Sequence, residues 1–388
     1  MLSVLIFVWI VIQCCIGYHL LSPLLMLTFH TFSNKKTHLT IPAEIPEADY
    51  AIVITAYQYV NTLPAVVTSV LCLNYKNYLV YIVADNCDTS TLNFTDDRII
   101  LLKPEQVLAG NIKSHFYAIE NFKRQHERIT IIDSDNLIHP DYLNQLNIFF
   151  ENGFEAVQGC REAKNLDTTY ACLDAARDIY YHYYDCKLLF NLGSSSTLSG
   201  SGMAFTTQLY KNCLGTKEIS GAGFDKVLQK LIVEKNKRIA FAPGALVYDE
   251  KTARPQELVN QRARWINTWF KYFRFGFALV FKGIKNASLN QFLFGLTLLR
   301  PPLFLFLISS VIMMILNFIY YPLVGFVWLA ALMVFIICFI TSLVASKPDK
   351  RIYSSLIGIP KFIFYQLISL SNVRKANTRS VSTRHYHT

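Results

Sequence analysis

Between residues 47 and 260, short continuous apolar runs alternate with stretches of helical spacing, while both ends of the chain carry far longer apolar runs. The runs at 51–54, 78–84, 98–102 and 129–132 read as strands, and helical spacing at 62–73 and 110–125 falls between them. Strands that are apolar at every position and separated by helices predict an α/β fold, a mostly parallel sheet covered on both faces. Such sheets bind ligands beyond the carboxyl ends of their strands. There the chain turns polar: Thr55-Ala56-Tyr57 after the first strand, Asp85-Asn86-Cys87-Asp88 after the second, and Asp133-Ser134-Asp135-Asn136 after the fourth.

The long runs predict membrane segments. The first, 2–29, is interrupted only by the strongly polar Gln13 and His19 and is long enough to cross hydrocarbon as a helix. It lacks the basic start of a cleaved signal peptide. Lys35 and Lys36 follow it, so the positive-inside tendency places the next domain in the cytosol. A second run, 292–320, is broken by Arg300-Pro301-Pro302, which moves the start of the span to Leu303; Tyr320 and Tyr321 separate it from a third, 322–345. The apolar stretch 352–370 contains Pro360 and Lys361 and is expected to lie in the interface, followed by a basic cytosolic tail. Ahead of the second span, Trp265, Trp269, Phe270, Tyr272, Phe273, Phe275 and Phe277 interleave with Lys271, Arg274 and Lys282. That pattern fits an amphipathic helix at headgroup depth or a core helix. The expected organisation is a span at 1–31, a cytosolic catalytic domain at 45–265, an interfacial helix at 266–290, two spans at 291–346, and an interfacial helix with basic tail at 347–388.

Composition agrees with a chain in two solvents: 52% of residues are hydrophobic and 16% charged, against about 25% charged in soluble domains. The net charge of +10 fits a surface facing anionic headgroups or an anionic substrate, or basic loops on one side of the membrane. Without zinc-finger spacing or a basic aromatic repeat, nucleic acid is not an expected partner. The nine cysteines are scattered, with no CxxC pair, which argues against a disulfide framework or a zinc site.

Asp133-Ser134-Asp135 places two carboxylates just past a buried strand. Mg²⁺ and Mn²⁺ prefer such oxygen ligands and leave positions for substrate phosphate. Asp85 fits an acceptor for a base or ribose, or a turn cap; Tyr57 could stack on a base; Lys113 could meet a phosphate or sit in solvent. Gly200-Ser201-Gly202 allows close backbone approach to a sugar, or makes a tight turn. Asp225, at the start of a helix, is a candidate general base or a partner of the helix dipole. Gln261, Arg264 and Trp265 fall on one helical face, offering a guanidinium for phosphate and a flat ring for a sugar, or a membrane-surface helix with an anchoring Trp.

Taken in order, Ile54-Thr55-Ala56-Tyr57, Ala84-Asp85-Asn86-Cys87-Asp88, Asp133-Ser134-Asp135, Gly200-Ser201-Gly202-Met203-Ala204-Phe205, Asp225 and Gln261-x-x-Arg264-Trp265 resemble the membrane-embedded family 2 glycosyltransferases. That group includes cellulose, hyaluronan, poly-N-acetylglucosamine and ceramide-glucose synthases. The resemblance implies a GT-A fold and inverting transfer of a sugar from a nucleotide-diphospho-sugar, a UDP-sugar above all, to a polysaccharide or lipid acceptor. It assigns the nucleoside to Tyr57 and Asp85, diphosphate and metal to Asp133 and Asp135, the base to Asp225, and the diphosphate and acceptor end to Gln261, Arg264 and Trp265. Gly223-Phe224-Asp225 stands where the group usually reads Thr-Glu-Asp, and about three spans are fewer than polymer-extruding synthases carry, which leaves export to a partner subunit. The competing reading is a non-catalytic membrane scaffold on the same fold.

Overall fold

The structure is a computed structural model that describes residues 2–32, 37, 39–40, 45–215, 217, 219 and 221–376. Lys35, Lys36 and the tail from 377 onward, on which the expectation of sidedness partly rests, lie outside the described residues.

The region between α1 and the later apolar helices, called the catalytic region after the expectation above, is built on eight strands: β1 (Tyr50–Tyr57), β2 (Tyr78–Asp85), β3 (Ile99–Leu102), β4 (Arg128–Asp133), β5 (Leu137–Ile138), β6 (Ala156–Ala163), β7 (Met203–Thr206) and β8 (Ile239–Asp249). They form one sheet in the order β3-β2-β1-β4-β7-β6-β8-β5. The first four strands pair in parallel, and β7 enters antiparallel to both β4 and β6. Alternation along β1 explains its unbroken apolar run. Tyr50, Ile52, Ile54 and Ala56 join the core on one face, while Ala51 and Val53 join the core on the other. Parallel register sets Tyr57 beside Asp85 and Thr55 beside Asp133, so three of the polar strand ends share one sheet edge.

The helices are α1 (Leu2–Phe32), α2 (Leu63–Leu71), α3 (Asn111–Glu120), α4 (Tyr142–Glu151), α5 (Thr169–Tyr181), α6 (Leu189–Asn191), α7 (Thr207–Leu214), α8 (Phe224–Glu234), α9 (Pro255–Tyr272), α10 (Phe275–Lys285), α11 (Leu289–Leu299), α12 (Leu303–Tyr320), α13 (Pro322–Ser346), α14 (Lys350–Ser355) and α15 (Ile359–Asn372). A π-helical turn, His182–Leu188, continues α5. The third helix is shorter than its spacing predicts. It stops at Glu120, and the following residues turn back onto the sheet: Lys123 N–H donates to the Tyr81 hydroxyl (2.8 Å), and Arg124 pairs with Asp49 (2.7 Å).

Among the described residues, α1, α12 and α13 are long and apolar enough to cross a membrane. They pack together, and Gln13 joins all three, accepting from Asn317 Nδ2 (2.8 Å) and Trp328 Nε1 (2.9 Å). Hydrogen bonds of this kind hold helices together where the surroundings supply no hydrophobic drive. The amphipathic stretch at 266–290 is not one helix: α9 runs through it to Tyr272, and after a break α10 follows. At Gly276, Gly283 and Gly295 an added Cβ would come within 2.5–2.7 Å of the facing helix, so the α10–α11 contact requires glycine. The 352–370 stretch forms α14 and α15, which pack on α5 and α9. Tyr184 on the π-helical turn donates to the Cys338 carbonyl of α13 (2.8 Å), fixing the catalytic region to the spans.

Candidate active site

A cavity of about 700 Å³ opens beyond the carboxyl ends of β1 and β4. Its lining includes Tyr57, Asp133, Asp135, Gly200, Asp225, Gln261, Arg264 and Trp265, residues separated by up to two hundred positions in the chain. Asp85, Lys113, Ser201 and Gly202 are not in the lining. Lys113 is exposed on α3. Asp85 is buried, and its two oxygens accept from the backbone N–H groups of Leu108 (2.9 Å) and Ala109 (2.8 Å). Ala109 has φ +48°, a conformation that costs a non-glycine residue energy, and this grip offsets it. Asp85 therefore shapes the wall made by Ala109, Gly110 and Asn111.

Ser201 works from behind the acidic turn. Its hydroxyl accepts from Asp133 N–H (3.0 Å) and bonds the Asn136 amide (2.9 Å). With the Asn136 amide oriented so that its oxygen meets Ser201, its nitrogen lies 3.1 and 3.2 Å from the Asp135 oxygens. Gln158 spans the same loop, donating to the Ser201 carbonyl (3.1 Å) and accepting from Ser199 N–H (3.0 Å). Gly202 has φ +67°, and a Cβ there would lie 2.9 Å from Val247 Cγ2, so the loop needs glycine.

Asp225 lies in the first turn of α8, where Lys226 Nζ approaches its carboxylate at 3.0 Å and donates to the Leu198 carbonyl at 2.8 Å. Phe224, in the place of the acidic neighbour, is a core residue against His115. Gly223, at φ +97°, brings this turn against α9: a Cβ would sit 2.7 Å from both Thr268 and Tyr272. Gln261 accepts from Thr252 Oγ1 at 2.9 Å. The Trp265 ring carries the Arg177 guanidinium at 4.2 Å and that of Arg262 at 4.1 Å from its centroid. Both arginines pair with the buried Asp174, and Arg177 also pairs with Asp178. Burial and the neighbouring Arg177 charge push the Arg262 guanidinium down to about 10. Lys251 ties Asp178 (2.5 Å) to Asp249 (2.6 Å), and Arg161 approaches the same two carboxylates. Burial lowers His182 to about 4, so it lines the cavity as a neutral imidazole.

Arg161, Arg177, Asp178, His182 and Arg262 also line the cavity, and the sequence motifs assign no role to any of them. The one available signal was the charge density of Asp174, Arg177, Asp178 and Asp185 within helical reach on an otherwise apolar stretch.

Asp133 and Asp135 fit a divalent cation. Both are hard oxygen donors at the cavity wall, and Asp135 is buried with the neutral Asn136 amide beside it. No cluster of three or more metal-ligating side chains occurs among the described residues. The remaining ligands would come from diphosphate and water, as Mg²⁺ sites commonly require. Away from the acidic turn the cavity becomes aromatic and apolar, with Trp269, Tyr272, Phe273, Phe275, Leu298, Leu303 and Phe304 from α9 to α12. Phe270, Phe277 and Phe281 are exposed.

No curated protein matches the sequence. Among solved structures, the mannosyltransferase PcManGT from Pyrobaculum calidifontis, in complex with GDP-Man and Mn²⁺, is 13% identical with a TM-score of 0.56, covering 93% of this chain and 96% of that one. TarS 1–349 of S. aureus, in complex with UDP-GlcNAc, is 14% identical with a TM-score of 0.43, covering 84% and 90%. Residues 46–268, more than half of the chain, match the family described as Glycosyltransferase like family 2. The chain belongs to that family, a glycosyltransferase family, and its curled sheet with flanking helices is a GT-A-like fold.

Proposed function

We propose that the protein moves a sugar from a nucleotide-diphospho-sugar, a UDP-sugar, onto a lipid or polysaccharide acceptor at the cytosolic face of a membrane, with inversion at the anomeric carbon. The observation that carries this reading is one continuous cavity. It begins at Asp133 and Asp135, passes Asp225 and the Gln261–Arg264–Trp265 face of α9, and ends against the first turn of α12.

In this reading Tyr57 and the 109–111 wall receive the nucleoside, and Asp135 with Asp133 would hold Mg²⁺ or Mn²⁺. The ion would neutralise charge on the leaving diphosphate. Arg264 supplies a second, fixed cation from α9. An acceptor hydroxyl attacks the anomeric carbon opposite the leaving group. Its C–O bond forms as the bond to the diphosphate breaks, the bonding electrons leave with the nucleoside diphosphate, and Asp225 takes the hydroxyl proton. Gly200, held by the Gln158 and Ser201 bonds, lets the backbone approach the sugar.

The test is to incubate membranes containing the full chain with labelled sugar nucleotides, with and without Mg²⁺ or Mn²⁺, and to sort product by solvent extraction. Metal-dependent transfer is expected. Asp135→Asn and Asp225→Asn should each lower it by about 10²-fold or more without unfolding. Wild-type turnover by either purified variant removes the assignment.

A further inference from the structure

At the membrane end of the cavity, one buried group has no role in handling the donor. Asp185 lies on the π-helical turn and is 3% exposed. Its Oδ2 pairs with Arg300, the residue that breaks the apolar run before α12, and Arg300 is itself buried against Tyr180 and Tyr181. The other oxygen, Oδ1, has no hydrogen-bond partner among the described residues, although Asp185 and Arg300 both line the cavity. Leaving a buried carboxylate oxygen unpartnered is costly, and a ligand in the cavity can supply the donor. A π-helical turn is itself uncommon and often marks a functional position. Trp269, which also lines the cavity, has its Nε1 buried without a hydrogen-bond partner among the described residues.

The charge at this spot decides the ligand class. Arg300 and Asp185 neutralise one another, so the pair adds no net charge, and the remaining oxygen is an unfilled hydrogen-bond acceptor. It takes a hydroxyl or amide N–H and offers no donor to a phosphate. The surrounding wall of Tyr181, Leu303 and Phe304 suits hydrocarbon.

Resting on the transferase reading above, we propose that Asp185 is an acceptor-binding residue, and that the acceptor is an uncharged lipid with at least two hydrogen-bond donors in its headgroup. One hydroxyl reacts at Asp225, and a second hydroxyl or amide N–H is held by Asp185 Oδ1. The indole N–H of Trp269 meets an oxygen of the same headgroup.

The experiment uses the purified full chain in lipid nanodiscs with the sugar nucleotide that it consumes. The acceptors offered are ceramide, monoacylglycerol, a monohexosyl glycerolipid, diacylglycerol with its single hydroxyl, and polyprenyl phosphate. Transfer to one of the first three, at least tenfold faster than to diacylglycerol and absent for polyprenyl phosphate, is the expected result. Transfer to polyprenyl phosphate, equal use of diacylglycerol, or sugar-nucleotide hydrolysis with no lipid product overturns the proposal and leaves the transferase intact. Failure to consume any sugar nucleotide removes the transferase reading itself. Asp185→Ala should raise the acceptor KM at least tenfold while the donor KM moves less than twofold. Because that change strands the Arg300 charge, the double variant D185L/R300M, which replaces the ion pair with apolar side chains, is measured beside it. It should show the same raised acceptor KM, and an unchanged acceptor KM in a folded double variant overturns the role of Asp185.

Discussion

Trp265 shows what a single motif letter conceals. Its ring is held between two guanidiniums, and both depend on one buried carboxylate, Asp174. Removing one member of a buried ionic cluster costs about 3–5 kcal/mol because its partner charges remain. Asp174→Asn should therefore lower stability by that order, read from denaturant unfolding in detergent, and should weaken donor binding as Trp265 loses its support; unchanged unfolding would show that the cluster relaxes at no cost. A second residue sets a pH limit. Burial pushes His115 down to about 3, beside the Tyr210 hydroxyl at 2.7 Å. The unfolded chain binds a proton at this position below about 6.5, the ordinary histidine value, whereas the folded chain does not. Stability is thus complete above that pH and falls as pH drops toward 3. His115→Asn should flatten this acid limb, seen as a smaller loss of unfolding midpoint between pH 6.5 and 4 than in wild type. Asp133, Asp135, Asp225, Gln261, Arg264 and Trp265 were readable because their spacing is itself a pattern. Asp174, Asp178 and Asp185 show only a local density of charge, since the partners Arg262, Lys251 and Arg300 lie far away along the chain.

At the scale of elements, the strands were legible for a physical reason: both faces of β1, β2 and β4 are buried, so each is a continuous apolar run. Strand direction has no such signature. The antiparallel β7 is four residues long and inserts between strands from distant parts of the chain, which local periodicity does not encode. The end of α3 was misplaced for a similar reason, because contacts to Tyr81 and Asp49 stop it rather than a breaker residue. The α8–α9 approach yields a sharp prediction. Gly223→Ala combines a positive φ with a 2.7 Å clash against Thr268 and Tyr272. It should displace the turn bearing Asp225 from α9 and lower kcat more than donor KM; an active variant with wild-type kcat would show that the two helices tolerate separation. In the spans, Gln13→Leu leaves Asn317 and Trp328 without their shared acceptor. A loss of about 1–2 kcal/mol in the span bundle is expected, measured by detergent-dependent thermal inactivation, with no change in transfer kinetics at low temperature.

For the molecule as a whole, the catalytic region and the spans share buried connections, the Tyr184–Cys338 bond and the Asp185–Arg300 pair. They make the cavity floor partly a product of the membrane helices. The catalytic region expressed without α11 to α13 would lose Arg300, Leu303 and Phe304 from its wall. Its expected phenotype is a protein that fails to transfer to lipid. The cytosolic placement is tested with sealed vesicles of both orientations: protease added outside should cut the catalytic region only in inside-out vesicles, and cleavage in right-side-out vesicles would reverse the assignment.

Finally, α12 and α13 are joined by a single residue, Tyr321, at the end remote from the cavity, while the first turn of α12 helps to line it. The lipid acceptor proposed above would enter sideways from the leaflet that the catalytic region touches, and its sugar would be added without the lipid leaving that leaflet. Such a transferase conserves leaflet asymmetry. The appearance of its product on the opposite surface would report the rate of a separate flippase rather than the rate of glycosylation.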